Sequence, residues 1–175
     1  AMELGARYLA SLQCFDLRWP KAQGGFHETF PGDTYSAPRD AATGTLGLIA
    51  LYQQTGNEEY LDRALRFGAW YASHGSDADG YPWDDFDLAK GQGTSRMRGD
   101  WQAGGALVYY QLGALTGETR WQTALRRVLD VLVAICADDD QGDTAYDFHG
   151  NCRISVGNDD FANLTLYAGY LIFGD

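Results

Sequence analysis

Asp40, Asp100 and Asp160 recur at intervals of 60 residues, and each stands immediately before a segment rich in small and apolar residues. A carboxylate in that position can simply cap a helix. It accepts hydrogen bonds from the free amides of the first turn, and its charge meets the positive end of the helix dipole. Where several such helix starts converge, the same carboxylates can also move protons. Asp100 has the richest surroundings, with Trp101 after it and Arg96 and Arg98 just before it. A nearby guanidinium holds a carboxylate in its ionised form, whereas burial favours the acid. His27, next to Glu28 in QGGFHETF, and His149, in YDFHGNCR, are the groups suited to general base work near neutral pH. As plain surface-loop histidines they would have no such role.

Aromatic residues accompany these candidates. Phe26, Tyr81, Trp83 and Trp101 lie beside the acids, and exposed rings among carboxylates suit a neutral sugar. The rings stack on its apolar face and the acids accept hydrogen bonds from its hydroxyls. The alternative is a solvated acidic rim whose aromatics only plug loops onto a core. The stretch DADGYPWDDFD begins as many calcium loops do, but it lacks the twelfth-position glutamate of an EF-hand. Its DDFD is faintly like the acidic motifs of terpene cyclases. Phosphate-loop, dinucleotide, nucleophile-elbow and zinc signatures are absent, so neither a cofactor nor a resident metal is expected.

The elements that must position these residues are helices of two kinds. The segments after Asp40, Asp100 and Asp160 are nearly free of charge, which predicts buried inner helices. Two of them end in Thr-Gly (Thr55-Gly56 and Thr116-Gly117), a stop signal followed at once by acids that open a new helix. The new helices are amphipathic. Tyr60, Ala64, Phe67, Gly68 and Tyr71 form one apolar face, and Trp121, Leu125, Val128, Leu129, Leu132 and Cys136 form another. Residues 2–13 supply a first outer helix, with Leu4, Tyr8 and Leu12 expected to face inward. The expected fold is therefore all-α: a single domain of about six helices alternating outer and inner, in repeats of about 1–56, 57–117 and 118–175. Three long connections, 17–39, 75–99 and 138–158, emerge at one end together with the N-termini of the inner helices. Loops of that length in a compact domain are usually functional.

Three blocks carry a resemblance to known proteins: ARYLASLQ followed by QGGF, LIALYQQTGNEEYLDRALRFGAWYASH followed by DADGYPW, and YYQLGALTGETRWQTALRRVLDVLV. They resemble the (α/α) toroid proteins of the six-hairpin glycosidase superfamily and the N-acylglucosamine 2-epimerase family. The resemblance implies a carbohydrate-active protein, either a glycoside hydrolase or a sugar epimerase. A non-catalytic sugar-binding or assembly module on the same scaffold is the alternative. Glycosidases use two carboxyl groups, one as proton donor and one as base or nucleophile. Asp100, Asp40 and Asp160 are the candidates for that pair, and the epimerase comparison would use His27 or His149. Trp83, Trp101, Tyr81, Arg96, Arg98 and Phe26 are the expected substrate-binding residues.

Six helices are about half of a closed toroid. An array interrupted there exposes apolar faces, so either a homodimer or membership of a longer toroid is expected. The start, Ala1-Met2-Glu3, carries no basic leader, so no signal peptide is expected at that point. The 175 residues carry 24 acids against 13 bases. The three loops with Asp40, Asp100, Asp159 and Asp160 hold 16 of those acids but only 7 of the bases. The excess is thus local to the loop end. No basic stripe is available for nucleic acid, and no apolar run is long enough to cross a membrane.

Overall fold

The computed structural model describes residues 2–94, 98–137 and 160–174. Their helices follow the expected alternation: α1 (Met2–Leu12), α2 (Pro38–Thr55), α3 (Glu58–Ser73), α4 (Asp100–Ala103), α5 (Leu107–Thr116), α6 (Thr119–Ala137) and α7 (Asp160–Phe173). The inner set α2, α5 and α7 lies side by side, while α3 packs on α2 and α6 on α5. The chain is an all-α arc of helical hairpins.

The tight turns form as their chemistry requires. Gly56 adopts φ +70° and its amide bonds the Tyr52 carbonyl at 2.7 Å, and Gly117 repeats this with Gly113 at 2.9 Å. This left-handed cap is open to glycine without steric cost. Asn57 then caps α3 by accepting from the Glu59 amide at 3.1 Å. Most of the predicted stripes are buried: Ala64, Phe67, Gly68 and Tyr71 on α3, with Tyr60 half-buried, and Trp121, Leu125, Val128, Leu129 and Leu132 on α6, the Cys136 side chain lying outside the described residues.

Three features depart from expectation. The second inner segment is not one helix, because a 3₁₀ turn over Gly104–Ala106 separates α4 from α5. A Cβ at Gly105 would overlap the buried hydroxyl of Tyr71, so the backbone of this segment lies directly against α3. Paired glycines also weaken a regular helix there.

The first two long connections contain a small antiparallel sheet, β1 (Tyr35–Ser36), β2 (Asp85–Asp87) and β3 (Gln92–Thr94), in that spatial order. Tyr35 pairs with Asp87, and Ser36 with Phe86. Ser36 and Phe86 are buried beneath the sheet, and alternation turns Tyr35, Asp85 and Asp87 to its open side.

Finally, α1 is rotated from its expected setting. Ala6 and Leu12 are buried, but Leu4 and Tyr8 are 74% and 53% exposed. Leu9 fits against Gly44 and Gly47 of α2, and those bare positions draw the Leu9 side inward in place of the Leu4 side. At the opposite edge α7 leaves Leu164, Tyr167, Tyr170 and Leu171 about half exposed.

Candidate functional site

The inter-loop sheet brings two acids from separate loops onto one tyrosine. The Tyr35 hydroxyl donates to Asp85 Oδ1 at 2.5 Å, across 50 residues of sequence. Glu28 is fixed beside it at two points. Its amide donates to the Tyr35 carbonyl at 3.0 Å, and its Oε2 accepts from the Ala37 amide at 3.0 Å, one residue before α2. Burial pushes the Glu28 carboxyl above its usual range. The Ala37 amide opposes this, while Asp40 and Asp33 add to it. Burial also raises the Tyr35 hydroxyl, helped by its bond to Asp85 and by the charges of Glu28 and Asp84. Asp33 closes the turn before β1, accepting from Thr29 Oγ1 at 2.7 Å and from the Tyr35 amide at 3.1 Å. These bonds hold Asp33 below the ordinary carboxylate range. The Tyr35 hydroxyl is thus bonded to Asp85 and feels the charge of Glu28, a carboxyl with raised proton affinity. Proton transfer needs groups of this kind.

The spaced aspartates take different places. Asp40 is the third residue of α2, exposed and paired with Arg39 at 3.0 Å; the N-cap is Ala37. Asp100 is the first residue of α4, after an N-cap at Gly99. The expected capping role of Asp40 and Asp100 is therefore corrected. Pro38 starts α2 without needing an amide partner. At α4 the Gly99 amide donates to Gln102 Oε1 at 2.8 Å, and its carbonyl accepts from the Tyr81 hydroxyl at 2.6 Å. Asp160 begins α7. The side chains of Asp100 and Asp160, and the whole of Arg96 and His149, lie outside the described residues.

His27 is buried, with Nδ1 against the Asp33 carbonyl and its ring edge-on to Trp19 at 5.9 Å. Donating Nδ1–H there fastens the loop that carries Glu28. Phe26 and Tyr81, expected to bind substrate, are buried in the core; Phe26 meets Phe67 edge to face at 5.6 Å. Trp83 and Trp101 are half-buried. The Trp83 indole lies over Gly93 so closely that any side chain there would collide with it.

Arg98 belongs to a second cluster. It pairs with Asp77 at 2.6 Å and with Asp79, while Asp77 Oδ1 accepts from the amides of Asp79 and Tyr81 at 2.9 and 3.0 Å. The calcium-like turn is thus filled by a guanidinium. Among the described residues no group of three His, Cys, Asp or Glu side chains is arranged to hold a metal. With Arg98 seated at this turn, replacing Asp77 by Asn should leave any effect of millimolar calcium on the thermal midpoint unchanged to within about 1 °C. A calcium response differing by several degrees between variant and wild type in differential scanning fluorimetry would contradict this.

Of these candidate residues, Asp85 was visible only as part of an acidic run and Glu28 only as the neighbour of His27. The spacing of 57 residues between them carries no periodic signal, and the strands that join them are two and three residues long.

No family model matches the sequence, and no curated protein matches it with significance. Among solved structures, the chain is similar to the crystal structure of a family 76 glycoside hydrolase from a bovine Bacteroides thetaiotaomicron strain. The TM-score is 0.64 at 17% identity, over 97% of this chain and 37% of that one. The likeness is one of fold, and the chain spans little more than a third of that hydrolase's length.

Proposed function

We propose that this arc is carbohydrate-active and belongs to a glycoside hydrolase site for a neutral sugar at its loop end. The observation that carries the reading is Tyr35, whose hydroxyl bonds Asp85 and feels the charge of the Glu28 carboxyl, in a fold like that of a glycoside hydrolase. Glu28, with its raised proton affinity, is the proton donor to the departing oxygen. Asp85 serves as base or nucleophile. Asp40, Asp100 and Asp160, at the starts of the inner helices, provide further carboxylates at the same end. Trp83 and Trp101 give ring faces for stacking.

Epimerisation would need histidines free to exchange protons. His27 is buried with its ring against Trp19, out of a substrate's reach, which favours hydrolysis over that alternative and leaves His149 as its remaining candidate.

The test is turnover on a panel of aryl-glycosides and reducing sugars, with Asp100→Asn, Asp85→Asn and Glu28→Gln as controls. Release of aryl alcohol by the wild type, reduced by about 10²-fold or more in Asp85→Asn and Glu28→Gln, is expected. Sugar binding with no turnover would make the arc a binding module. Unaltered turnover in Asp100→Asn would remove Asp100 from the mechanism.

A further inference from the structure

A cleft on the solvent side of α3 takes no part in the chemistry proposed for the loop end. It lies between that helix and residues 15–24, with a volume of about 290 Å³, at the small end of ligand sites. Its walls are held by side-chain bonds across the loop. Gln13 Nε2 donates to the carbonyls of Gly24 and Arg63 at 3.1 and 2.9 Å, and the Trp70 indole donates to the Lys21 carbonyl. Gln23 Nε2 donates to the carbonyls of Asp16 and Trp19. A Cβ at Gly24 would come within 2.6 Å of the Arg66 carbonyl oxygen, so loop backbone meets helix backbone directly. The two walls pack on each other, and the cleft is therefore not an edge left by the first or last helix.

Phe15, Pro20, Ala69 and Trp70 give the cleft an apolar lining, to which Arg66 and His74 add polar groups. Among the described residues no Asp or Glu lines it. In a chain of net charge -11, an acid-free cleft with a guanidinium at its rim selects for an anion. Arg66 commits Nε to Asp62 at 2.7 Å, and its two terminal nitrogens bond no other described residue. The guanidinium sits 5.8 Å from the centre of the Phe15 ring, so charge and apolar surface are presented side by side. Burial and the charge of Lys21 hold the His74 imidazole below its ordinary range, which leaves a neutral ring with one N–H to donate at pH 7.

We propose that this cleft binds a small organic acid, with an apolar body no larger than a substituted ring between Phe15, Pro20 and α3, and its carboxylate on the terminal nitrogens of Arg66. The fork of a guanidinium matches the two oxygens of a carboxylate. One Arg beside a neutral His suits a monoanion better than a phosphate dianion. Asp62 orients the guanidinium from the far side of Nε, and Lys21 adds attraction from the loop. The inference stands independently of the loop-end chemistry.

Two-dimensional NMR of the 175-residue chain tests it with benzoate as the probe, following the Trp70 indole N–H and the amides of Ala69 and His74. Saturable shifts centred on these signals are expected, with a Kd of about 1 mM or tighter. Benzamide, the uncharged isostere, and glucuronate, a carboxylate on a polar body, should each bind about tenfold more weakly or worse. Arg66→Gln should weaken benzoate about tenfold. Ala69→Leu keeps a strong helix former at an exposed position while filling the cleft, and it should abolish the shifts with thermal unfolding like that of the wild type. Absence of saturation at about 20 mM benzoate overturns the proposal. So do equal binding of benzamide, tighter binding of glucuronate, and benzoate shifts that persist in Ala69→Leu.

Discussion

A Glu28→Gln variant should lose about 10²–10⁴-fold in kcat on glycosides with poor leaving groups, the usual contribution of a positioned acid. On substrates whose leaving group departs without a proton the loss should be far smaller. That contrast distinguishes a proton donor from a residue needed only for folding. The pH profile gives a second check. Burial raises the Glu28 pKa, so its acid form persists to higher pH than an ordinary glutamate allows. The alkaline limb of kcat/KM should follow that raised value and vanish in Glu28→Gln.

The sign for stability runs the same way. A carboxyl bound more tightly to its proton in the folded state costs stability at neutral pH. That cost is relieved as the pH falls through the folded pKa toward the unfolded one. Replacement by Gln, whose amide oxygen can still accept from Ala37, should leave the thermal midpoint at pH 7 unchanged or slightly raised. A large destabilisation together with equal losses on all substrates would sink the assignment.

The second large effect is expected at Trp70. Its indole Nε1 donates to the Lys21 carbonyl at 2.9 Å, and Phe86 of the inter-loop sheet meets its ring edge-on at 5.2 Å. Its ring packs so closely on Gly25 that a Cβ there would come within 2.7 Å. Its own carbonyl accepts from the amides of His74 and Gly75 at 2.7 and 2.9 Å. One buried side chain on α3 therefore ties the first loop and the second loop to the same helix. Trp70→Ala should cost about 3–5 kcal/mol from lost burial and the cavity left behind. That is a large part of ordinary domain stability, and it should lower the thermal midpoint by about 10 °C. Calorimetry or urea unfolding measures it. Trp70→Phe keeps most of the packing but leaves the Lys21 carbonyl unbonded, and it should cost markedly less. Equal losses in the two variants would place the effect in the hydrogen bond alone.

The hairpin order was legible because helix burial has a period and glycine stops have a mechanism. Phe67, Tyr71, Trp121 and Leu125 fall on one side at 3.6-residue spacing, and Gly56 and Gly117 end their helices in the left-handed conformation. What escaped depends on partners remote in sequence. The inward side of α1 is decided by Gly44 and Gly47 of α2, and the break before α5 by Tyr71 of α3. The acidic, aromatic loops of the candidate site were legible in composition, but Glu28 and Asp85 did not stand out among their acids. The bond between Tyr35 and Asp85 was not legible, since it is made across two strands too short to show alternation.

That sheet also sets an order of events. Helical hairpins form from neighbours in sequence, whereas Tyr35 and Asp85 must close a loop of 50 residues before they meet. Closure of such a span is entropically costly until α2 and α3 have docked and brought the strand ends together. The carboxylate pair is thus assembled after the scaffold and held by few ladder hydrogen bonds. By the same reasoning it is expected to come apart before the described helices do, through local opening that leaves them intact. The contact between Tyr35 and Asp85 can therefore be lost and regained without the arc unfolding.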